Sequence, residues 1–252
     1  MNTTIALITG GSRGIGRSTA LALAEAGHDV IITYFSKADE AGAVVAQIHE
    51  MGRKAVALQL DSSNVAGFGD FKLRLNEQLE QLWQCTQFDF LVNNAGFGAY
   101  TSIADTTEQQ FDAMFNVHLK GVFFLTQMLL PLVKDGGCIL NISSGLTRFA
   151  LSGYAAYAIM KGGVEVFSRY LALELGSRGV RVNVLAPGAV ETDFGGGAVR
   201  DNPQLNQMIA EQTALGRVGL PDDIGGAVVT LLSEQSRWIN GQRVEASGGA
   251  LL

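Results

Sequence analysis

The chain has 252 residues and a net charge of -6 with no block of like charges, which gives no support to a nucleic-acid or anionic-membrane surface. A composition of 47% hydrophobic residues, 31 Gly and only 4 Pro suits a compact, tightly wound fold and argues against disorder. The two cysteines, Cys85 and Cys138, cannot build a disulfide framework.

The first apolar stretch, in MNTTIALITGG, lacks a basic flank and is too short for a signal peptide, so a soluble cytoplasmic protein is expected. Residues 4–8 form a β-type run that opens into Thr9-Gly10-Gly11-Ser12-Arg13-Gly14-Ile15-Gly16, followed by an amphipathic helix over 14–26. A strand at 30–34, a helix to about residue 51, a strand at 55–58 and a helix over 66–83 come next. Strand 88–92 leads into Asn93-Asn94-Ala95-Gly96, and one long helix is expected over 108–133. Its greasiest part, 121–133, is interrupted by Thr126, Gln127 and Pro131 and falls short of a membrane span. Strand 138–142, a helix ending near 176 and a strand at 180–185 follow. An irregular Gly-rich stretch then precedes a helix over 221–232 and a last strand at 242–245. Apolar strands alternating with helices predict an α/β fold, a single doubly wound Rossmann sheet of about seven parallel strands covered on both faces. It occupies one domain over residues 1–252.

The glycines at 10, 14 and 16, between a strand and a helix, permit a tight turn and a close approach of backbone to a pyrophosphate. At the end of the second strand an NAD enzyme usually carries Asp or Glu for the ribose 2′-hydroxyl. Here stand Tyr34, Phe35, Ser36 and Lys37, with Arg13 in the Gly-rich loop, a set suited to a 2′-phosphate and therefore to NADP(H). Tyr157 and Lys161 are four residues apart in an Ala-rich helical pattern, which stacks phenol and ammonium on one face. The cation should lower the phenol pKa into the range of an acid/base catalyst. A strand-end hydroxyl, Ser143 or Ser144, would face the same substrate oxygen. His28, His49 and His118 have no ligand spacing, and no metal site is expected.

TGGSRGIG at 9–16, NNAG at 93–96, Ser144, Tyr157-x-x-x-Lys161 and Pro187-Gly188 together resemble the short-chain dehydrogenase/reductase family, in the family's order and over the whole chain. The resemblance implies Tyr157 as proton donor in reduction, Ser144 as a hydrogen-bond donor to the same oxygen, and Lys161 as the partner of Tyr157 and of the nicotinamide ribose. Asn116 would complete a proton relay. The implied cofactor contacts are Gly10, Ser12, Arg13, Gly14, Ile15, Gly16, Tyr34, Ser36, Lys37, Asp61, Ser62, Asn93, Ala95, Gly96, Tyr157, Lys161, Pro187, Gly188, Val190 and Thr192. Asp61 would accept from the adenine amine, and Asn93, Ala95 and Gly96 would flank the ribose. Residues 190–216 would form a lid, with Gly195-Gly196-Gly197 as hinge and Phe194 on its apolar underside.

The expected substrate is a small-molecule ketone or aldehyde with apolar substituents, bounded by Leu146, Phe149, Leu151, Tyr154, Phe97, Val190 and Tyr100. Two alternatives stand beside carbonyl reduction. One is a 3-oxoacyl-(acyl-carrier-protein) reductase, although Asp135 and Leu173 fall where basic docking residues are expected, with Lys134, Arg148 and Arg169 nearby. The other is an NADP(H)-sensing binding protein without turnover. The resemblance also implies a homotetramer.

Overall fold

The computed structural model describes residues 4–252. Its elements in chain order are β1 (Ile5–Ile8), α1 (Gly14–Glu25), β2 (Asp29–Tyr34), α2 (Ala38–Glu50), β3 (Ala55–Gln59), α3 (Phe68–Gln78), β4 (Phe88–Asn93), α4 (Glu108–Phe115), α5 (Gly121–Leu129) and β5 (Val133–Ile142). They continue with α6 (Ala155–Glu174), β6 (Arg181–Pro187), α7 (Ala198–Asp201), α8 (Pro203–Glu211), α9 (Pro221–Leu232) and β7 (Arg243–Ala246). The seven strands form one parallel sheet in the order β3-β2-β1-β4-β5-β6-β7. The order reverses between β1 and β4, and at such a point the loops at the strands' carboxyl ends part to form a ligand crevice.

Both faces are buried, as the unbroken apolar strands require. One core joins Phe68, Phe71 and Leu75 of α3 to Leu125 and Leu129 of α5 and Leu171 of α6. The other joins Leu23 of α1, Val44 and Ile48 of α2, and Ile224 and Val228 of α9. Each such side chain, fully buried, contributes about 1.5–3 kcal/mol.

The sheet also holds a polar cross-link that apolar patterning does not reveal. Asn93 pairs in register with Asn141; its Nδ2 donates to Asn141 Oδ1 at 2.7 Å and to Thr126 Oγ1 at 3.0 Å. Asn141 Nδ2 donates in turn to Ser168 Oγ at 2.8 Å, which ties β4, β5, α5 and α6 together.

Three expectations about elements need correction. The helix expected over 108–133 is segmented: a π turn, Asn116–Lys120, separates α4 from α5, and a 3-10 turn closes it at Leu132. At Gly121 an added Cβ would lie 2.0 Å from the Ser62 carbonyl oxygen, so the chain crosses the β3 loop only with glycine there. By length and composition the run Glu108–Leu132, which contains an 18-residue window of mean hydropathy 1.2, is long and apolar enough to cross a membrane, contrary to the shorter stretch considered from sequence. Packing against α3 and α6 places one face of the run in the core, and a third of that window is buried. The expected helix over 66–83 is likewise α3 followed by a π turn, Leu79–Trp83. The stretch expected to be irregular between β6 and α9 contains α7 and α8; Asn202 caps α8 by accepting from Gln204 and Leu205 N–H at 3.1 Å each.

Replacing Asn141 with Ala strands one buried donor of Asn93, and we expect unfolding free energy to fall by about 1–3 kcal/mol. An unchanged denaturant midpoint would show that the cross-link is dispensable.

Candidate active site

At the crevice, the loop after β1 is held from two sides. Gly10 N donates to Thr33 Oγ1 at 3.2 Å and Gly11 N to the Thr33 carbonyl at 2.8 Å. Thr9 Oγ1 accepts from the backbone N–H groups of Asn94 and Ala95 at 3.0 Å each, while Asn94 Nδ2 donates to the carbonyls of Thr9 (2.9 Å) and Gly10 (3.2 Å). Gly10 has φ +67°, and a Cβ on Gly16 would sit 2.1 Å from the Gly10 carbonyl oxygen. Only glycine permits this turn directly onto the first turn of α1. The result is a backbone cradle at a helix N-terminus, suited to a pyrophosphate. Ser12, Arg13, Gly14 and Ile15 lie along this turn and the start of α1, and Thr192 stands over Gly14 at 3.5 Å from where its Cβ would be. Neither Thr9 nor Asn94 was singled out from sequence, although both lie inside the motifs.

At the β3 end of the crevice, Phe35, Gln59, Leu60, Asp61, Asn64, Gly67, Asp70 and Arg74 line a cavity of about 250 Å³. Asp61 Oδ1 accepts from Ser63 N at 2.9 Å and Ser63 Oγ at 2.6 Å. Ser62 packs its carbonyl on Gly121. Tyr34 ends β2, with Ser36 and Lys37 at the entry to α2; Lys37 pairs with Glu40 at 3.5 Å. Arg13 Nη1 lies 3.8 Å from Asp193 Oδ2 of the 190–216 segment, and both side chains are about half exposed. The Asn93 side chain is turned into the sheet, so any contact it makes with a ribose falls to its backbone. Ala95 lies against Gly10, and Gly96 against the ring of His118. Pro187 ends β6, Gly188 N donates to the Ala246 carbonyl at 3.1 Å, and Val190 is buried.

Ser144 and Tyr157 meet beside this cradle. Ser144 follows the end of β5, and its Oγ accepts from Leu146 N at 3.2 Å. Ser143, the rival hydroxyl, points elsewhere and donates to Glu165 Oε1 at 2.7 Å. Tyr157 and Lys161 are both buried on α6. Lys161 Nζ donates to the Ile142 carbonyl at 2.8 Å and lies 5.6 Å from the centre of the Tyr157 ring. Tyr154 stacks edge-on against Tyr100, 5.5 Å between centroids. Asn116 sits where α4 gives way to the π turn.

Burial sets the protonation of this pair in a way that corrects the sequence expectation. It raises the Tyr157 phenol well above its ordinary value, and the neighbouring Ser144 hydroxyl offsets this only in part. Burial also lowers the Lys161 ammonium to about 8. Each neutral form gains because the crevice wall removes water from both groups. The tyrosine therefore stays protonated at neutral pH.

His118 belongs to this cluster, although the sequence gives it no ligand spacing. Fully buried in the π turn, it stands edge-on to Tyr157 at 5.2 Å and tilted to Phe97 at 5.2 Å. Its Nε2 accepts from Phe97 N at 3.3 Å. Burial, then Lys161, lower its pKa to about 3, so the imidazole is neutral. Spacing could not have revealed it, since no ligand pattern involves it. From above, Phe194 stands edge-on to the Tyr157 ring at 5.6 Å. Among the described residues no group of three or more His, Cys, Asp or Glu could hold a metal ion.

Residues 10–250 match a family profile described as enoyl-(acyl carrier protein) reductase. The 3-oxoacyl-(acyl-carrier-protein) reductase FabG of Staphylococcus epidermidis is 37% identical over 97% of each chain. The chain belongs to the short-chain dehydrogenase/reductase family. Among solved structures of the family, the promiscuous reductase LugOII, which catalyses keto-reduction at C1 during lugdunomycin biosynthesis, is 38% identical. It superposes with a TM-score of 0.94 over 100% of this chain and 99% of its own. The angucycline C-6 ketoreductase LanV, solved with bound NADP, is 36% identical with a TM-score of 0.94, covering 99% and 96%.

NMR of lysine side chains provides a check on the buried ammonium. One resonance should titrate near pH 8 and disappear in Lys161→Met; if the Lys161 signal titrates above pH 10, burial is not setting its charge.

Proposed function

We propose that the chain is an NADPH-dependent reductase that converts a ketone or aldehyde bearing apolar or aromatic groups into an alcohol. The observation that carries this reading is the juxtaposition of Ser144, buried Tyr157 and buried Lys161 beside the Gly-rich cradle. NADPH, when bound, supplies the hydride. Tyr157, held protonated by burial, donates a proton to the carbonyl oxygen, and Ser144 hydrogen-bonds that oxygen as negative charge grows on it. Lys161 stabilises the phenolate left behind and holds the nicotinamide ribose. Asn116 continues the proton path toward solvent.

NADP preference is supported by the LanV structure and by the absence of a carboxylate at residues 34–37. The Arg13–Asp193 pair is long and about half exposed, and such pairs contribute about 0–1 kcal/mol, so a 2′-phosphate can take the guanidinium. Gly10, Ser12, Gly14, Ile15 and Gly16 would take the pyrophosphate, Asp61 the adenine, and Pro187, Gly188, Val190 and Thr192 the nicotinamide. Residues 190–216 act as the lid, with Phe194 on the reacting side. His118 and Phe194 pack edge-on to Tyr157 and Phe97 packs on His118, and these rings around the acid favour a substrate with apolar or aromatic groups over a sugar.

A carrier-protein substrate has less support, because Arg148 is held by Glu245 and Lys134 pairs with Asp89, which leaves only exposed Arg169 of the three nearby cations without a salt bridge among the described residues. A second and further copies of the chain suit the apolar outer surface of the long helices. Phe111, Phe115, Phe123 and Phe124 of α4 and α5 are exposed, as are Ile159, Val166, Tyr170 and Leu173 of α6. Trp238 and Leu252 are each 97% exposed. A homotetramer would cover them. A reducing cytoplasm suits the free thiols Cys85 and Cys138.

With NADPH and an aryl ketone such as α-tetralone, Tyr157→Phe should lower kcat by about 10²–10⁴-fold; a variant that keeps most of its turnover refutes the acid role. NADPH should be used with higher kcat/KM than NADH, and Arg13→Ala should narrow the gap. Equal efficiency with both would overturn the cofactor assignment. Light scattering on the purified protein should report four copies, and a monomer would sink the tetramer.

A further inference from the structure

On α6, Glu165 stands four residues beyond Lys161 and eight beyond Tyr157, so all three share one helix face. The family motif ends at Lys161, and nothing in the reaction calls on the next rung. Yet Glu165 gathers the segment that carries Ser144. Its Oε1 accepts from Ser143 Oγ at 2.7 Å, Thr147 Oγ1 at 2.7 Å and Arg243 Nε at 2.9 Å. From β7, the same Arg243 sends Nη2 to the Ser144 carbonyl oxygen at 3.2 Å. The carboxylate and guanidinium are mostly shielded, with side chains 13% and 22% exposed. Charge-assisted hydrogen bonds with little water around them are the strong ones.

Glu245 extends the array. Its carboxylate takes Arg243 Nη1 at 2.9 Å and Arg148 through two nitrogens at 2.9 and 2.8 Å, and Arg148 also donates to the Leu251 carbonyl at 3.1 Å. The hydrogen bonds of Arg148 hold the Glu245 carboxyl near 2, so it stays ionised.

Two contacts therefore dock the end of β5 on α6. Lys161 holds the Ile142 carbonyl, and Glu165 holds the Ser143 hydroxyl, one residue along strand and one turn along helix. Ser144 is the next residue, and its peptide is pinned from behind by Arg243. A substrate oxygen must receive both the Ser144 and Tyr157 hydroxyls, and that demands placement to within about 0.5 Å. Taking Ser144 and Tyr157 as the catalytic pair proposed above, we infer that Glu165 and Arg243 are positioning residues that set Ser144 against Tyr157.

Their test is a double-mutant cycle in the full chain, with NADPH and α-tetralone. Ser144→Ala is made first, and then Glu165→Gln and Arg243→Lys, each alone and with Ser144→Ala. Arg243→Lys keeps a cation for Glu165 but loses the fork that reaches the Ser144 carbonyl, so it serves if Glu165→Gln does not fold. Either variant alone should lower kcat by about 10- to 100-fold, the scale of an ångström misplacement. NADPH affinity by fluorescence titration and thermal midpoint should change little in Arg243→Lys. In the Ser144→Ala background the same substitutions should cost little more, because their effect passes through that hydroxyl. Full additivity with Ser144→Ala, or a folded variant within twofold of the parent kcat, overturns the positioning role. If Ser144→Ala itself leaves kcat unchanged, the catalytic pair falls and this inference with it, an outcome distinct from additivity.

Discussion

A buried lysine ammonium needs an oxygen, and in this chain it takes the carbonyl of Ile142, the last residue of β5. That bond fixes where α6 lies against the sheet. Desolvation of Lys161 and Tyr157 follows from the same docking, because a helix pressed on the strand ends excludes water from its inner face. The site is then a consequence of register. Once Lys161 is under the Ile142 carbonyl, Ser144 emerges two residues on, and Tyr157 lies one helical turn back.

Behind that contact stands the cross-link of Asn93, Asn141, Thr126 and Ser168, which joins β4 and β5 to α5, just beyond the π turn that holds Asn116, and to α6, which carries Tyr157 and Lys161. Buried amides with such partners favour one strand register, since a slipped register would leave donors unmet. The same logic operates at the Gly-rich loop, where Thr9 and Asn94 tie the turn after β1 to the turn after β4. Rigid scaffold elements thus place three loops, after β1, β4 and β5, around one crevice. The segment over 190–216 differs in kind: its three successive glycines adopt positive φ, and Asp193 and Phe194 reach out from it to Arg13 and Tyr157.

The fold was legible because its signals are local and repeated. Apolar runs at strand length alternate with amphipathic segments, and the chain writes that pattern seven times. Where the reading failed, a neighbour distant in sequence had intervened. The break in the helix at Asn116–Lys120 coincides with the close pass of Gly121 over Ser62, a contact between residues nearly sixty positions apart. His118 entered the site through that π turn. The short helices of the 190–216 segment were hidden because glycine suppresses the periodicity by which helices are read, although Asn202 and Pro203 do mark the start of α8.

By itself, the sequence determined the alternating parallel architecture, the glycines that only a tight backbone approach requires, and the placement of Tyr157 and Lys161 on one helix face. These depend on chain geometry at short range. Tertiary structure alone decided the protonation of that pair, because burial outweighs the neighbouring charge that the spacing suggested. It also handed the rival hydroxyl of Ser143 to Glu165 and turned the Asn93 side chain into the sheet. Arg13 was led to Asp193 by an approach of the Gly-rich loop and the 190–216 segment that spans most of the chain. Desolvation and long-range partners are properties of the packed molecule, and no spacing encodes them.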